Sequence, residues 1–210
     1  NGSVSRDENF EAGRELGEND IIRHIGYARY KGAEYLRVQS DTRFSVLKRS
    51  TSSDDWAKSW SSFVGGAEDY QLTPSLTTKL QHLPANSEIS AEALIILGAV
   101  IVPVFETTAG GNSCSAGTGK YYLFDLANGL FPNNRFILNG ALLSDSDMAS
   151  PDQVGSNNPV ITIGKGRVHR PQFSIFEGKM SIYGHTEESD FFKLDVNQSQ
   201  TGTKSWREIR

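Results

Sequence analysis

Residues 94–105 read LIILGAVIVPVF, and this stretch decides the fold. Six of these residues are Ile or Val, whose branched side chains pack well on a pleated sheet. Gly98 predicts a break between two short strands. The longest apolar run, residues 93–102, is too short for the roughly 20 residues that a membrane-spanning helix needs. The stretch therefore predicts strands in a buried core.

Further strands are predicted on both sides of this stretch. Before it, apolar residues recur in three segments, residues 25–28, 35–38 and 44–47, which are separated by predicted turns at Lys31-Gly32 and Ser40-Asp41. After it, strands are predicted at residues 121–126, 135–143, 160–163, 172–183 (a hairpin about a Glu-Gly-Lys turn), 191–194 and 205–209. Asn128-Gly129 is the strongest signal for a two-residue hairpin, and residues 144–159 are predicted to form a polar loop.

The sequence also predicts one or two short helices. Trp56, Trp60 and Phe63 are spaced by four and three residues, which places them on one helical face. The same aromatic residues would suit a sugar-stacking or partner-binding face, but a helix that packs on a sheet needs the same stripe. A second helix is predicted to start at Thr73-Pro74-Ser75, to carry Leu76, Leu80 and Leu83, and to end at Pro84.

These elements predict a mainly β chain with its strands in a sandwich, a barrel or a propeller. Residues 1–20 are predicted to be a linker or loop, and residues 21–210 to form the β domain. The chain begins at Asn1 without Met or an apolar leader, so we expect a processed or excised segment of a larger chain.

Composition narrows the classes of function. The 210 residues carry a formal net charge of -4, with a pI near 5.6 and a mean hydropathy of -0.41. Lys and Arg are scattered, so the basic stripe of a nucleic-acid-binding protein is missing. The one cysteine, Cys114, excludes an internal disulfide and a thiolate metal cage.

Glycine-rich motifs that bind nucleotides are incomplete. Gly117-Thr118-Gly119-Lys120 resembles a phosphate-binding loop, but Cys114 and Tyr121 stand where that loop needs a glycine and a Ser or Thr. We therefore interpret it as a flexible β-turn. Gly164-Lys165-Gly166 lacks the third glycine of a dinucleotide fingerprint and is predicted to be a hairpin turn.

Residues that commonly act in catalysis or bind metals also form no recognisable motif. The four histidines (His24, His82, His169 and His185) are far apart in sequence, although a fold could bring two together. Ser113, Cys114 and Ser115 lack a nucleophile-elbow pattern. Asp145, Asp147 and Asp152 resemble only the start of a calcium loop, and residues 187–190 read as a solvated acidic loop. No catalytic, cofactor-binding or metal-binding residue is therefore assigned.

Two motifs carry a resemblance to a known family. Residues 114–129, CSAGTGKYYLFDLANG, contain Cys-x-x-Gly, a strand and Asp-x-x-x-Gly, and residues 203–209, TKSWREI, contain Ser-Trp-Arg-Glu. With the Ile- and Val-rich strand before the cysteine, they resemble the C-terminal part of the PilC/PilY family of type IV pilus tip-associated proteins.

The resemblance implies a modified β-propeller domain at the C-terminus of a large protein exported through the periplasm. Such proteins act without catalysis at the bacterial surface, pilus tip or outer membrane, in pilus biogenesis, retraction control and adhesion to host cells. The expected partners are pilins and a host-cell receptor, with no nucleic acid and no membrane span. The family commonly carries a calcium-binding loop, but no complete loop of that type occurs in this sequence. Residues 17–20 are at best a remnant of it.

Two alternatives come from other classes. The blade-like motif at residues 121–129 is also found in propellers of quinoprotein dehydrogenases, which would need calcium ligands and a full ring of blades. A carbohydrate-binding β-domain would need exposed aromatic side chains.

Overall fold

The computed structural model describes residues 21–52, 55–64, 83–107, 117–143 and 160–197. These residues form fourteen strands and no helix. The strands are β1 (His24–Tyr30), β2 (Ala33–Gln39), β3 (Arg43–Arg49), β4 (Trp56–Phe63), β5 (Ser87–Ile89), β6 (Leu94–Ile96), β7 (Ala99–Glu106), β8 (Thr118–Asp125), β9 (Phe136–Leu138), β10 (Ala141–Leu142), β11 (Val160–Lys165), β12 (Gln172–Phe176), β13 (Lys179–His185) and β14 (Phe191–Val196). The prediction of a mainly β chain is confirmed.

The strands form three antiparallel sheets. Sheet I is the meander β1-β2-β3-β4, sheet II has the order β11-β8-β7-β5 with β6 also paired to β7, and sheet III has the order β10-β9-β14-β13-β12. Lys31 and Gly32 both have positive φ in the turn between β1 and β2, as a two-residue hairpin requires. Leu97 and Gly98 also have positive φ, in the turn between β6 and β7, so the predicted break between two strands at Gly98 is confirmed.

Sheet II lies between the other two sheets and is buried on both faces. Alternate residues of β7 therefore point into two different cores, which is why its sequence is almost continuously apolar. One core joins sheets I and II through Phe44, Val46, Trp60, Val100, Val102, Val104, Tyr122 and Phe124. The other joins sheets II and III through Ile101, Tyr121, Leu123, Phe136, Ile182 and Leu194. Each large side chain contributes about 1.5–3 kcal/mol when fully buried.

Pro103 lies within β7, where a missing backbone donor would ordinarily disrupt a sheet. One edge of β7 is shared by two short strands, because β5 pairs as far as Val104 and β6 begins to pair at Ile101. Pro103 falls in the gap between them, so no ladder hydrogen bond on that edge is lost there.

The first predicted helix is wrong, because Trp56, Trp60 and Phe63 belong to strand β4. Trp60 pairs with Val46 while Lys58 pairs with Leu47, so Ser59 is the extra residue of a β-bulge. The bulge turns Trp56 towards Leu47 on the outer face of sheet I, while Trp60 enters the core. The spacing that predicted one helical face therefore belongs to two tryptophans on opposite faces of a bulged strand. The second predicted helix lies outside the described residues, apart from Leu83 and Pro84, and Leu83 forms a β-bridge with Val64.

Three turn predictions are also wrong. Asn128-Gly129 forms a turn after β8, but the next strand, β9, pairs with β14 and not with β8. The hairpin turn is instead Asn139-Gly140, which joins β9 to β10 with positive φ at both residues. Gly164 and Lys165 lie inside β11, and Thr118 to Lys120 lie inside β8, so neither glycine motif forms the predicted turn.

The other strand predictions in the described residues are confirmed by β1, β2, β3, β8, β11, the β12–β13 hairpin and β14. Residues 135–143, predicted as a strand, instead contain the two short strands β9 and β10, which pair with each other. Residues 1–20, 144–159 and 205–209 lie outside the described residues. Among the described residues the sheets are stacked, and they close into neither a barrel nor a propeller. None of the described residues belongs to a helix long and apolar enough to cross a bilayer.

Candidate binding surface

Strand β12 forms an exposed apolar patch at the edge of sheet III. All five of its residues are exposed, although three of them are large and apolar. Phe173 is 54% exposed, Ile175 56% and Phe176 73%. Exposed apolar side chains grouped on one short strand are typical of a surface that another molecule covers.

The apolar residues of β12 lie on both faces of sheet III. Phe173 is opposite Ile182 and Ile175 is opposite Met180, so both lie on the face that continues into the core between sheets II and III. Phe176 is opposite Lys179 and lies on the outer face. On the core-side face of sheet III, the side chains of β13 are therefore packed against the core, whereas Phe173 and Ile175 of β12 are exposed.

Among the described residues, the backbone of β12 is also open along one edge. Its only neighbour in that part of the chain is β13, to which it is joined through Glu177 and Gly178, both with positive φ. In such a two-residue hairpin the flanking residues form a hydrogen-bonded pair, and hydrogen-bonded pairs then alternate. The N–H and C=O groups of Phe173 and Ile175 consequently point to the open edge. An added strand could pair with these groups.

The outer face of sheet III bears a groove of about 720 Å³. Ser174, Ser181 and Asp195 lie opposite one another on β12, β13 and β14 and form a polar row across the sheet. Phe176 lies on one side of this row and Tyr183 on the other, and both line the groove. The ring of Tyr183 is 5.8 Å from that of Phe191.

The Asp195 carboxylate is held in place within the groove. Ser181 Oγ donates to its Oδ1 at 2.6 Å, and Lys193 Nζ lies 2.9 Å from the same oxygen. The Ser181 hydrogen bond, followed by that of Lys193, holds the pKa of Asp195 below its ordinary value. The floor of the groove thus presents an ionised acceptor near neutral pH.

The Asp-x-x-x-Gly motif joins two sheets. Gly129 donates its N–H to Asp125 O at 2.8 Å, and the loop so formed lies against the indole of Trp60 from sheet I. Trp60 Nε1 donates to Leu126 O at 2.9 Å, and Ser59 Oγ donates to Ala127 O at 2.8 Å. The motif therefore connects sheet II to sheet I by packing and by hydrogen bonds.

A buried ion pair connects the same sheets at another point. Arg37 is only 4% exposed and donates to Glu92 Oε1 at 2.6 Å and to the carbonyl of Ala93. Arg170 contacts the other carboxylate oxygen of Glu92 at 2.7 Å. The Arg37 hydrogen bond is the main reason why the pKa of Glu92 lies below its ordinary value. These contacts fix the loop before β6 against sheet I, so we assign these residues a structural role.

The fold brings together some of the residues that the sequence analysis considered as catalytic or metal-binding candidates. His169 and His185 stack with ring centroids 4.4 Å apart on the surface, a contact that their sequence separation concealed. In the acidic loop, Asp190 accepts from Lys165 N at 3.0 Å and Glu187 from Arg167 N at 3.4 Å. Within the described ranges, no three His, Cys, Asp or Glu residues are grouped to hold a metal ion. His82, residues 113–115 and the three aspartates at 145–152 lie outside those ranges.

Comparisons of the chain with protein-family models, with curated proteins and with solved structures gave no match.

Proposed function

We propose that this chain is a non-enzymatic domain of the type IV pilus system, which acts in pilus biogenesis, in retraction control and in adhesion to host cells. On this proposal it is exported to the bacterial cell surface as the propeller-like C-terminal part of a longer protein. Its partners are pilus components, which bind through strand β12, and a host-cell receptor.

The observation that carries a role in protein binding is the exposed edge of β12. Phe173 and Ile175 present apolar side chains and open backbone groups in the same place, and strand addition uses both. Natural proteins usually protect an exposed edge strand with charges, a proline or a covering segment. The uncovered pair Phe173 and Ile175 on one face of this edge strand is therefore better explained by a partner than by solvent contact.

The assignment to the pilus system is supported by the family resemblance and by what its first motif does in the fold. Asp125 and Gly129 form an inter-sheet contact with Trp60, which is the kind of structural role that a blade-like motif would have. Three antiparallel sheets stacked face to face are also compatible with consecutive blades of a propeller.

The proposal is tested by binding of the 210-residue chain to purified type IV pili in a sedimentation assay. We expect the wild-type chain to sediment with pili and the Phe173→Pro variant to lose at least tenfold in affinity, because proline removes a backbone donor at the open edge. The matched control is Phe176→Ala, which removes an exposed ring from the opposite face of the same strand and should bind pili normally. Wild-type binding that is unchanged in Phe173→Pro would contradict strand addition, and no binding to pili would contradict the pilus assignment.

A further inference from the structure

The groove on the outer face of sheet III has the chemistry of a second binding site. We propose that it binds a carbohydrate, with one sugar ring held over the row of Ser174, Ser181 and Asp195 and its apolar face against Phe176 or Tyr183. This site is separate from the open edge of β12, so the inference does not rest on the proposed binding of pili.

The size and lining of the groove fit a small ligand. Its volume of about 720 Å³ lies within the roughly 300–1,000 Å³ that is usual for small-molecule sites. Such sites combine apolar and aromatic walls with a few polar groups that fix orientation. Here the aromatic walls are Phe176 and Tyr183, and the polar groups are the hydroxyls of Ser174 and Ser181 and the carboxylate of Asp195.

The charges within the groove argue for a neutral ligand. Lys193 pairs with Asp195 across the floor at 2.9 Å, so the opposite charges lie side by side. Lys179 and Glu177 also line the groove and carry one charge of each sign. An anion would meet the carboxylates and a cation would meet the ammonium groups. A neutral molecule rich in hydroxyl groups is repelled by neither the carboxylates nor the ammonium groups.

The polar row supplies hydrogen bonds of the kinds that a sugar can use. The Asp195 carboxylate can accept from sugar hydroxyls, and hydrogen bonds to a charged group are the stronger ones. Ser181 and Lys193 fix the position of this carboxylate before any ligand arrives, which lowers the ordering cost of binding. The hydroxyl of Ser174 on the neighbouring strand can donate or accept.

The aromatic residues supply an apolar surface beside the polar row. Phe176 is the most exposed large apolar side chain of the described residues, at 73%. The ring of Tyr183 is supported by Phe191, whose centroid is 5.8 Å away. A sugar ring has apolar faces and a polar rim, and a groove with aromatic walls and a polar floor is complementary to both. A purely apolar ligand would leave the Ser and Asp groups without partners, which is unfavourable.

The test uses the 210-residue chain on a printed array of neutral and sialylated oligosaccharides, followed by titration calorimetry with the best neutral hit. We expect neutral glycans to bind, and the Phe176→Ala and Asp195→Asn variants each to lose at least tenfold in affinity. Both positions are at the surface, so folding should be retained, and a thermal melt checks it. The matched control is Phe173→Ala, which removes an equally large exposed ring from the opposite face of the same strand and should leave glycan affinity within twofold.

The outcomes separate this inference from its competitors. An array without binding would overturn it, as would glycan binding that Phe176→Ala and Asp195→Asn leave unchanged. Binding restricted to sialylated glycans would contradict the argument from charge. If Phe173→Ala lowers glycan affinity as much as Phe176→Ala does, the ligand lies at the edge of β12 and the groove is not the site. A chain that binds glycans but not pili would support this inference while contradicting the proposed function.

Discussion

The contact between Gly129 and Trp60 gives a prediction that can be worked out from the structure. Gly129 has a φ of 71°, and a Cβ atom placed on it would lie 2.7 Å from the indole of Trp60. The Gly129→Ala variant therefore meets two penalties. The left-handed backbone costs an L-residue about 1–2 kcal/mol, and overpacking against a buried ring adds about 1–3 kcal/mol. We expect a total loss of about 2–5 kcal/mol in the free energy of unfolding.

The Gly140→Ala variant is the matched control, because Gly140 has a φ of 84° and nothing within 4 Å of an added Cβ. It should lose only the backbone contribution of about 1–2 kcal/mol. Urea denaturation followed by tryptophan fluorescence measures both variants. With an m-value of about 2 kcal/mol/M, the two midpoints should differ by roughly 0.5–1.5 M. Equal losses in the two variants would refute the claim that the Asp-x-x-x-Gly loop packs tightly on Trp60.

Three further predictions concern single residues. Trp60→Phe should lower the free energy of unfolding by about 1–3 kcal/mol, because the buried carbonyl of Leu126 loses its hydrogen bond; a loss below 0.5 kcal/mol in a urea melt would contradict this. Glu92→Gln should lower the free energy of unfolding at pH 7. The difference from wild type in urea melts should shrink as the pH falls below 4.5, because the ionised Glu92 carboxylate with its lowered pKa stabilises the fold above that pH and loses this contribution on protonation. A difference in the free energy of unfolding that does not vary with pH would argue against the ion pair with Arg37. Burial raises the pKa of Tyr121 and of Tyr122 above the ordinary value of 10.0. Absorbance titration should find both of these tyrosines un-ionised in the folded chain above pH 10, with stability falling once the pH passes that value; ionisation of all seven tyrosines of the chain before unfolding would contradict the burial.

Much of the fold can be predicted from the sequence wherever the side-chain period is regular. Strand β1 alternates in burial along its whole length, and the β1–β2 and β12–β13 turns carry the expected Gly at positive φ. The failures have physical causes. The bulge at Ser59 places Trp56 and Trp60 on opposite faces of β4, although their four-residue spacing would put them on one face of a helix. Two Asn-Gly pairs occur in the described residues, and only tertiary pairing decides that Asn139-Gly140 and not Asn128-Gly129 forms a hairpin.

The candidate site could be predicted less well than the fold. Alternation in residues 173–176 indicates a strand, but it cannot show that the strand lies at the edge of a sheet with both faces uncovered. That exposure depends on the strand order of sheet III. The polar row of Ser174, Ser181 and Asp195 likewise joins three strands, and each member has an ordinary sequence context. The stacking of His169 on His185 is a further contact that arises from pairing and not from sequence spacing.

The most direct test of the pilus assignment is to find where the chain resides in cells. Surface pili are sheared from bacteria that make the protein, purified, and analysed by mass spectrometry for peptides of these 210 residues. The proposal predicts peptides that co-purify with pili and disappear in a mutant that lacks the major pilin. Peptides that occur only in the soluble fraction would contradict it.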